Sequence, residues 1–206
     1  MQLDINFYNY IKKFEKYNRF LLNIDLNDIE ILTFITTTCK YESNYKAIEE
    51  SFKYSEKRFK QIFSHEKYLR AKRFLPCKNI KCEKSIANII YSNRMGNKGN
   101  EGYLYRGRGY IQITGKNNYK MINDEFIDKL NLDFNLLNNP DLLLNKGIST
   151  LAIFLFLNKN NINRKNNYNK IEDRFNYMQK IINNRLPKFE LEKSYNSFIK
   201  LLENIV

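Results

Sequence analysis

The sequence predicts a mainly α-helical single domain interrupted by one irregular, glycine-rich central loop. Three observations carry that expectation. Apolar residues recur at spacings of three and four through most of the 206 residues. Six of the seven glycines (Gly96, Gly99, Gly102, Gly107, Gly109 and Gly115) fall where that recurrence stops. No internal repeat and no Pro/Gly/Ser-rich linker divides the chain, whose length suits one domain or one domain with an appendage.

In chain order, Leu3, Phe7, Tyr10, Ile11 and Phe14 mark a first amphipathic helix, an extension over residues 1–27 ahead of a core at about 28–206. Asn27 or Asp28 can cap a second helix running to about Lys40, with Ile31, Phe34, Ile35 and Thr38 on its inner face. Ser55 to Phe63 and Glu66 to Phe74 repeat the pattern, and Pro76 closes them. Ser85 to Arg94 carries Ile86, Ile89 and Ile90 and reads as another helix. From Met95 to Gly115 glycine supplies turns and close backbone approach, with a β-prone run at Tyr110 to Thr114 that allows a small hairpin. Asn139-Pro140 is a helix start, because proline suits the first helical position. Ile148 to Leu157 then forms a central buried helix. An Asn- and Lys-rich connector from Asn158 to Asn169 leads to two last helices, roughly Tyr168 to Asn184 and Pro187 to Glu203.

Composition narrows the function class. A hydrophobic fraction of 43% supports a core and excludes global disorder, while seven glycines, three prolines and three cysteines exclude collagenous and disulfide-dense classes. The longest apolar run, Leu151 to Leu157, is far shorter than the roughly 18 residues of a membrane span. The N-terminus lacks the uninterrupted apolar stretch of a secretory signal. Cys77 and Cys82 can pair across a short loop; Cys39, in an apolar helix, is then a buried free thiol. Cys-x4-Cys without a second pair argues against zinc, and His65 reads as a surface residue at a helix end. Thirty-five basic against 22 acidic residues leave a charge of +13, spread along the chain, which attracts polyanions without naming a reaction.

The chemistry concentrates between Asn93 and Tyr119. A phosphate cradle would need a GxxxxGK[ST] or GxGxxG pattern, which is absent. Arg106-Gly107-Arg108-Gly109 resembles an RNA-binding RGG segment only once, and an ordered run follows it. Tyr103, Tyr105, Tyr110 and Tyr119 offer flat apolar faces with polar rims, and Gln112, Thr114, Asn117 and Asn118 offer neutral hydrogen-bonding groups suited to sugar hydroxyl and N-acetyl groups. A carbohydrate site is one reading of this set, and a structural turn is the other.

Tyr105-Arg106-Gly107-Arg108-Gly109-Tyr110-Ile111-Gln112-Ile113-Thr114, with Asn117-Asn118-Tyr119 after it, resembles the signature of glycoside hydrolase family 19, the chitinases and related phage or bacterial endolysins. Lys40-Tyr41-Glu42-Ser43 is similar to that family's His-Glu-Ser or His-Glu-Thr element, with Tyr41 in place of histidine. Asn44-Tyr45 stands for a two-glycine turn. Phe52 to Ser55, Asn93 to Asn97, Asn139 to Leu142 and Ile182-Asn183 extend the resemblance over about residues 29–185.

The resemblance implies a lysozyme-like domain and an inverting endo-glycosidase cutting β-1,4 links in N-acetylglucosamine polymers. Glu42 is then the general acid, Glu50 the base and Thr114 the hydroxyl that orients the water. Gln112, Asn118 and Asn183 hold the sugar and Tyr105 lines the cleft; Glu101 is the alternative base. Arg106 and Arg108 brace the loop. Two carboxylates suit this chemistry, one protonated and one ionised on either side of the bond, with water between them. Glu42 and Glu50 on one unbroken helix would stand about 12 Å apart along the axis, so the chain must leave the helix after Glu42 and fold back. The mechanism needs no metal or organic cofactor. The expected partner is a polysaccharide, chitin ahead of peptidoglycan, met by a monomer that binds no nucleic acid and acts on a cell wall after release. Two other readings are an inactive carbohydrate-binding protein and a basic nucleic-acid binder.

Overall fold

A computed structural model describes residues 2–14, 24, 27–163, 168, 170–183 and 186–205. The fold is mainly helical, as the apolar spacing predicts. The described helices are α1 (Gln2–Lys12), α2 (Ile29–Ser43), α3 (Glu56–Ile62), α4 (His65–Ala71), α5 (Ile80–Tyr91), α6 (Glu101–Leu104), α7 (Lys116–Leu130), α8 (Lys146–Lys159), α9 (Ile171–Ile182) and α10 (Lys188–Leu202). Short 3-10 turns cover Lys72–Phe74 and Pro140–Leu144. Two strands, β1 (Ile48–Glu49) and β2 (Arg108–Gly109), pair antiparallel with Ile48 opposite Gly109 and Glu49 opposite Arg108.

Local chemistry sets the ends of these elements. Asp28 caps α2, accepting from the backbone N–H groups of Glu30 (3.0 Å) and Ile31 (3.2 Å). Arg174 on α9 reaches both Asp28 and Glu30, so the same carboxylate that starts α2 ties it to α9. Ser55, Ser64 and Asn79 cap α3, α4 and α5 in the same way. Asp28→Ala removes the cap and one partner of Arg174 and is expected to lower stability by about 1 kcal/mol, read as a shift in the denaturation midpoint; an unchanged midpoint would show that solvent replaces both.

Several expectations shift. Helix α2 is buried nearly all round, from Ile31 to Cys39, and not along one face, because it runs between α1 and α10. Helix α5 begins at Ile80, earlier than Ser85, since Asn79 supplies a cap ahead of the apolar pattern. The run Tyr110 to Thr114 is not a strand. It turns back after β2, with a single bridge between Arg108 and Ile113. A helix that the sequence reading passed over, α7, follows Gly115 and buries Tyr119, Ile122 and Phe126. The expected Asn158–Asn169 connector lies partly outside the described residues, as do the end of the expected Tyr168–Asn184 helix and much of the 1–27 extension.

Two apolar clusters form. The larger gathers α1, α2, α7, α8, α9 and α10, and it includes Phe7, Tyr8 and Ile11. Helix α1 therefore contributes to the core itself. Asp4 pairs with Lys40 at 2.9 Å and accepts from the Tyr45 hydroxyl. The smaller cluster centres on Phe52, Phe59, Ala71, Cys77, Ile86, Ala87 and Ile90. Cys77 and Cys82 are disulfide-bonded there, and Cys39 is a buried free thiol in the larger cluster. The β1–β2 pair lies where the chain passes from one cluster to the other. No described helix is long and apolar enough to cross a membrane.

Candidate active site

The turn after α2 determines where the two carboxylates go. Asn44 and Tyr45 both adopt left-handed backbone, with φ of 49° and 60°. Asparagine tolerates that region better than most residues. For Tyr45 the strain is offset by its hydroxyl bond to Asp4 and by its ring packing on Phe7 at 4.7 Å. The N–H groups of Asn44 and Tyr45 donate back to Lys40 and Cys39, which closes the helix end. The chain thus leaves α2 one residue after Glu42 and returns as β1.

Glu50 follows β1 at the seam between the clusters. Its backbone N–H donates to the Gly107 carbonyl at 2.8 Å, extending the β1–β2 ladder by one bond. Its carboxylate accepts from the Tyr91 hydroxyl at 2.9 and 3.1 Å and from the Gly107 N–H at 3.3 Å. Burial raises its pKa above the ordinary 4.5; the Tyr91 and Gly107 bonds and the nearby Arg106 charge pull the other way. Arg106 pairs with neighbouring Glu49 and also donates to the Tyr103 carbonyl at 2.9 Å.

Gly107 is the point on which the strand pairing converges. A Cβ there would lie 2.8 Å from Gln112 Oε1, 3.2 Å from Thr114 Oγ1 and 3.4 Å from Glu50 Cβ. Three of the sequence-predicted residues therefore surround one backbone position, although Glu50 is remote from the other two in sequence. Gln112 is held in place, with φ of 52° and Nε2 donating to the carbonyls of Ile48 (3.1 Å) and Gly109 (3.0 Å). Thr114 Oγ1 donates to the Gln112 carbonyl at 2.8 Å, and Asn118 Nδ2 to the Thr114 carbonyl at 2.9 Å. Gly107→Ala is expected to cost about 1–3 kcal/mol by overpacking and to reduce turnover far more than that loss of stability alone, since the Gln112 side chain has two bonds to break before it can give way. Kinetics and melting on one preparation test this; a variant with normal turnover would show that the residues around Gly107 adjust freely.

Glu42 is placed by helix packing instead. It lines a cavity of about 400 Å³ with Thr38, Tyr41, Gln179, Asn183, Phe189 and Glu190 among the walls. Burial raises its pKa above 4.5, and repulsion from Glu190 adds to the rise. The structure thus places Asn183, at the end of α9, beside Glu42, and places Gln112 and Thr114 beside Glu50, with Asn118 bonded to the Thr114 carbonyl. Glu101 differs from both. Lys116 at 2.5 Å and the Lys98 N–H at 2.8 Å hold its carboxylate, and the Lys116 bond leads the lowering of its pKa.

Tyr105 corrects the expectation that it lines the cleft. It is 3% exposed in the larger core, its ring 5.4 Å from that of Tyr119 and its hydroxyl donating to the Leu137 carbonyl at 3.1 Å. Arg108 braces the loop, pairing with Asp141 at 2.7 Å and donating to the Leu104 carbonyl and the Tyr119 hydroxyl. Tyr91, Gln179 and Glu190 were not anticipated. Each sits on an ordinary helix with no local motif, and only its place beside Glu50 or in the Glu42 cavity distinguishes it. Among the described residues no cluster of His, Cys, Asp or Glu could hold a metal ion.

The chain is similar to a glycosyl hydrolase family 19 domain-containing protein of Haemophilus influenzae, 65% identical over 37 residues. That stretch covers 16% of this chain and 18% of the Haemophilus protein, under a fifth of either. No protein-family model matches the chain.

Proposed function

We propose that this chain is an inverting endo-glycosidase, one catalytic domain acting on β-1,4-linked polymers that contain N-acetylglucosamine. The observation that carries the reading is the convergence of Glu50, Thr114 and Gln112 around Gly107, together with Glu42, whose pKa is raised, lining a cavity with Asn183.

In this mechanism Glu42 enters protonated and donates its proton to the leaving glycosidic oxygen. Both causes acting on Glu42, burial and the Glu190 charge, favour its protonated form, as a general acid requires. Glu50, ionised, takes a proton from a water that attacks the anomeric carbon from the opposite face. Its Tyr91 and Gly107 bonds favour the ionised form against the cost of burial. Thr114 Oγ1, whose proton goes to the Gln112 carbonyl, presents its lone pairs to that water. Gln112, Asn118 and Asn183 hold the sugar. Glu50 is preferred to Glu101 as base because it is Glu50 that stands with Thr114 at Gly107, while Glu101 is held in an ion pair with Lys116.

Chitin is the first substrate, because Gln112, Thr114, Asn118 and Asn183, the side chains assigned to the water and the sugar, are neutral. The charge of +13 favours a second reading, an anionic bacterial wall cut as peptidoglycan. Anomer analysis of products from a short N-acetylglucosamine oligomer tests the mechanism. Products first appearing as the α anomer support it, and products retaining the β configuration overturn it. Parallel release of sugar from chitin and loss of turbidity from bacterial walls rank the two substrates. Release from neither, with chitin still bound, would leave a binding protein in place of an enzyme.

A further inference from the structure

Phe189 is 74% exposed, more than any other large apolar side chain described. It opens α10 at the rim of the Glu42 cavity, and it also lines a second hollow of about 410 Å³ with Lys193, Asn196, Ser197 and Lys200. Tyr41, Phe189 and Lys193 belong to both hollows, so the two adjoin along these side chains.

This arrangement follows from helical spacing. Phe189, Lys193, Asn196 and Lys200 recur at i, i+4, i+7 and i+11, one stripe of α10 about 16 Å long. The opposite face of the helix buries Ser194, Phe198 and Leu201, which fixes the stripe outward. Tyr41, one residue before Glu42, forms the facing wall. Its hydroxyl is 2.7 Å from Ser197 Oγ and donates to the Lys193 carbonyl at 3.0 Å, so its ring is held on this helix. An exposed phenyl ring beside a half-exposed tyrosine, at the mouth of a cavity of mixed polar and apolar lining, pairs a flat apolar face with hydrogen-bonding groups.

We infer that the α10 stripe, with Phe189 and Tyr41 at its head, is an outer sugar-binding surface that grips the glycan strand beyond the unit bound at Glu42. This deepens the proposed function and rests on it for the identity of the strand. One apolar face of a sugar ring stacks on Phe189, while Lys193, Asn196 and Lys200 meet hydroxyl and N-acetyl oxygens farther along. The surface adds affinity only for chains long enough to reach it, so it sets a preference for polymer over short oligomers.

The test compares wild type, Phe189→Ala and Phe189→Tyr. Their affinity for soluble chitin polymer and for purified peptidoglycan is measured by retardation in a gel carrying each polymer. Hydrolysis of the same polymers and of an N-acetylglucosamine tetramer is measured in parallel. Phe189→Ala is expected to lose up to about tenfold in polymer affinity and to raise KM for polymer with kcat unchanged. Its melting temperature should match wild type, its loss on the tetramer should be smaller than its loss on polymer, and Phe189→Tyr should restore binding. Equal polymer affinity for Phe189→Ala and wild type overturns the inference while leaving the enzyme reading intact. If wild type hydrolyses nothing but binds polymer through Phe189, the enzyme reading fails and the surface stands. No binding to either polymer overturns both.

Discussion

Glu42→Gln is expected to lose about 10²- to 10⁴-fold in kcat, the contribution of a positioned general acid, while the protein stays folded. Glutamine keeps the shape of the side chain and removes only the proton that the leaving oxygen needs. Stability should change with pH in a definite direction. Burial, then Glu190, raises the folded-state pKa of Glu42 above 4.5. The folded state therefore holds the Glu42 proton more tightly than the unfolded chain does. Its stabilising effect is complete below about pH 4.5 and is lost as pH rises through the raised value. Glutamine does not titrate, so the variant should gain melting temperature relative to wild type between pH 4 and pH 7. Melts at the two pH values, beside kinetics on an N-acetylglucosamine oligomer, decide the matter. A variant retaining a tenth or more of wild-type turnover would remove Glu42 from the chemistry, and a relative melting temperature independent of pH would show that its burial costs nothing.

The second large effect belongs to Glu50. Removing its carboxylate by Glu50→Ala should cost a comparable 10²- to 10⁴-fold in turnover, because no other acidic side chain approaches Gly107 and Thr114 so closely among the contacts described. The truncation also leaves the Tyr91 hydroxyl without its acceptor, so about 1–3 kcal/mol of stability should go with it. Azide separates a lost base from a loosened fold. A small anion entering the vacated space can attack the anomeric carbon without losing a proton, so activity should partly return as glycosyl azide of inverted configuration. Glu101→Gln, by contrast, should leave turnover nearly normal and lower stability slightly through the lost Lys116 pair. Exchanged behaviour of the two variants would make Glu101 the base.

What was legible in the sequence was local. Apolar spacing of three and four, with Asp28, Ser55 and Pro140 as boundaries, was enough to mark most helices. Each signal acts within a turn or two of backbone and needs no distant partner. Helix α7 carries the same signal in Tyr119, Ile122 and Phe126, yet its Lys- and Asn-rich opening reads like the polar loop before it. The run Tyr110 to Thr114 has strand-forming residues, but the short β1 partner and the reversal at Gln112 leave it only one bridge. Tyr105 could be read as amphipathic wall or as core, and its burial against Tyr119 and Leu137 decides for core.

By itself the sequence determined the helical class, the glycine-rich loop, the buried free thiol at Cys39 and the residue types offered for acid, base and sugar contacts. The tertiary structure alone decided which of these meet. Glu50 reaches Thr114 and Gln112 only because Glu49 pairs with Arg108, and Glu42 meets Asn183 and Glu190 only because α10 packs on α2. The physical reason is range. Caps and helical faces are fixed by neighbours in sequence, whereas pairing and burial, and with them each carboxylate's proton affinity, depend on segments that only folding brings together.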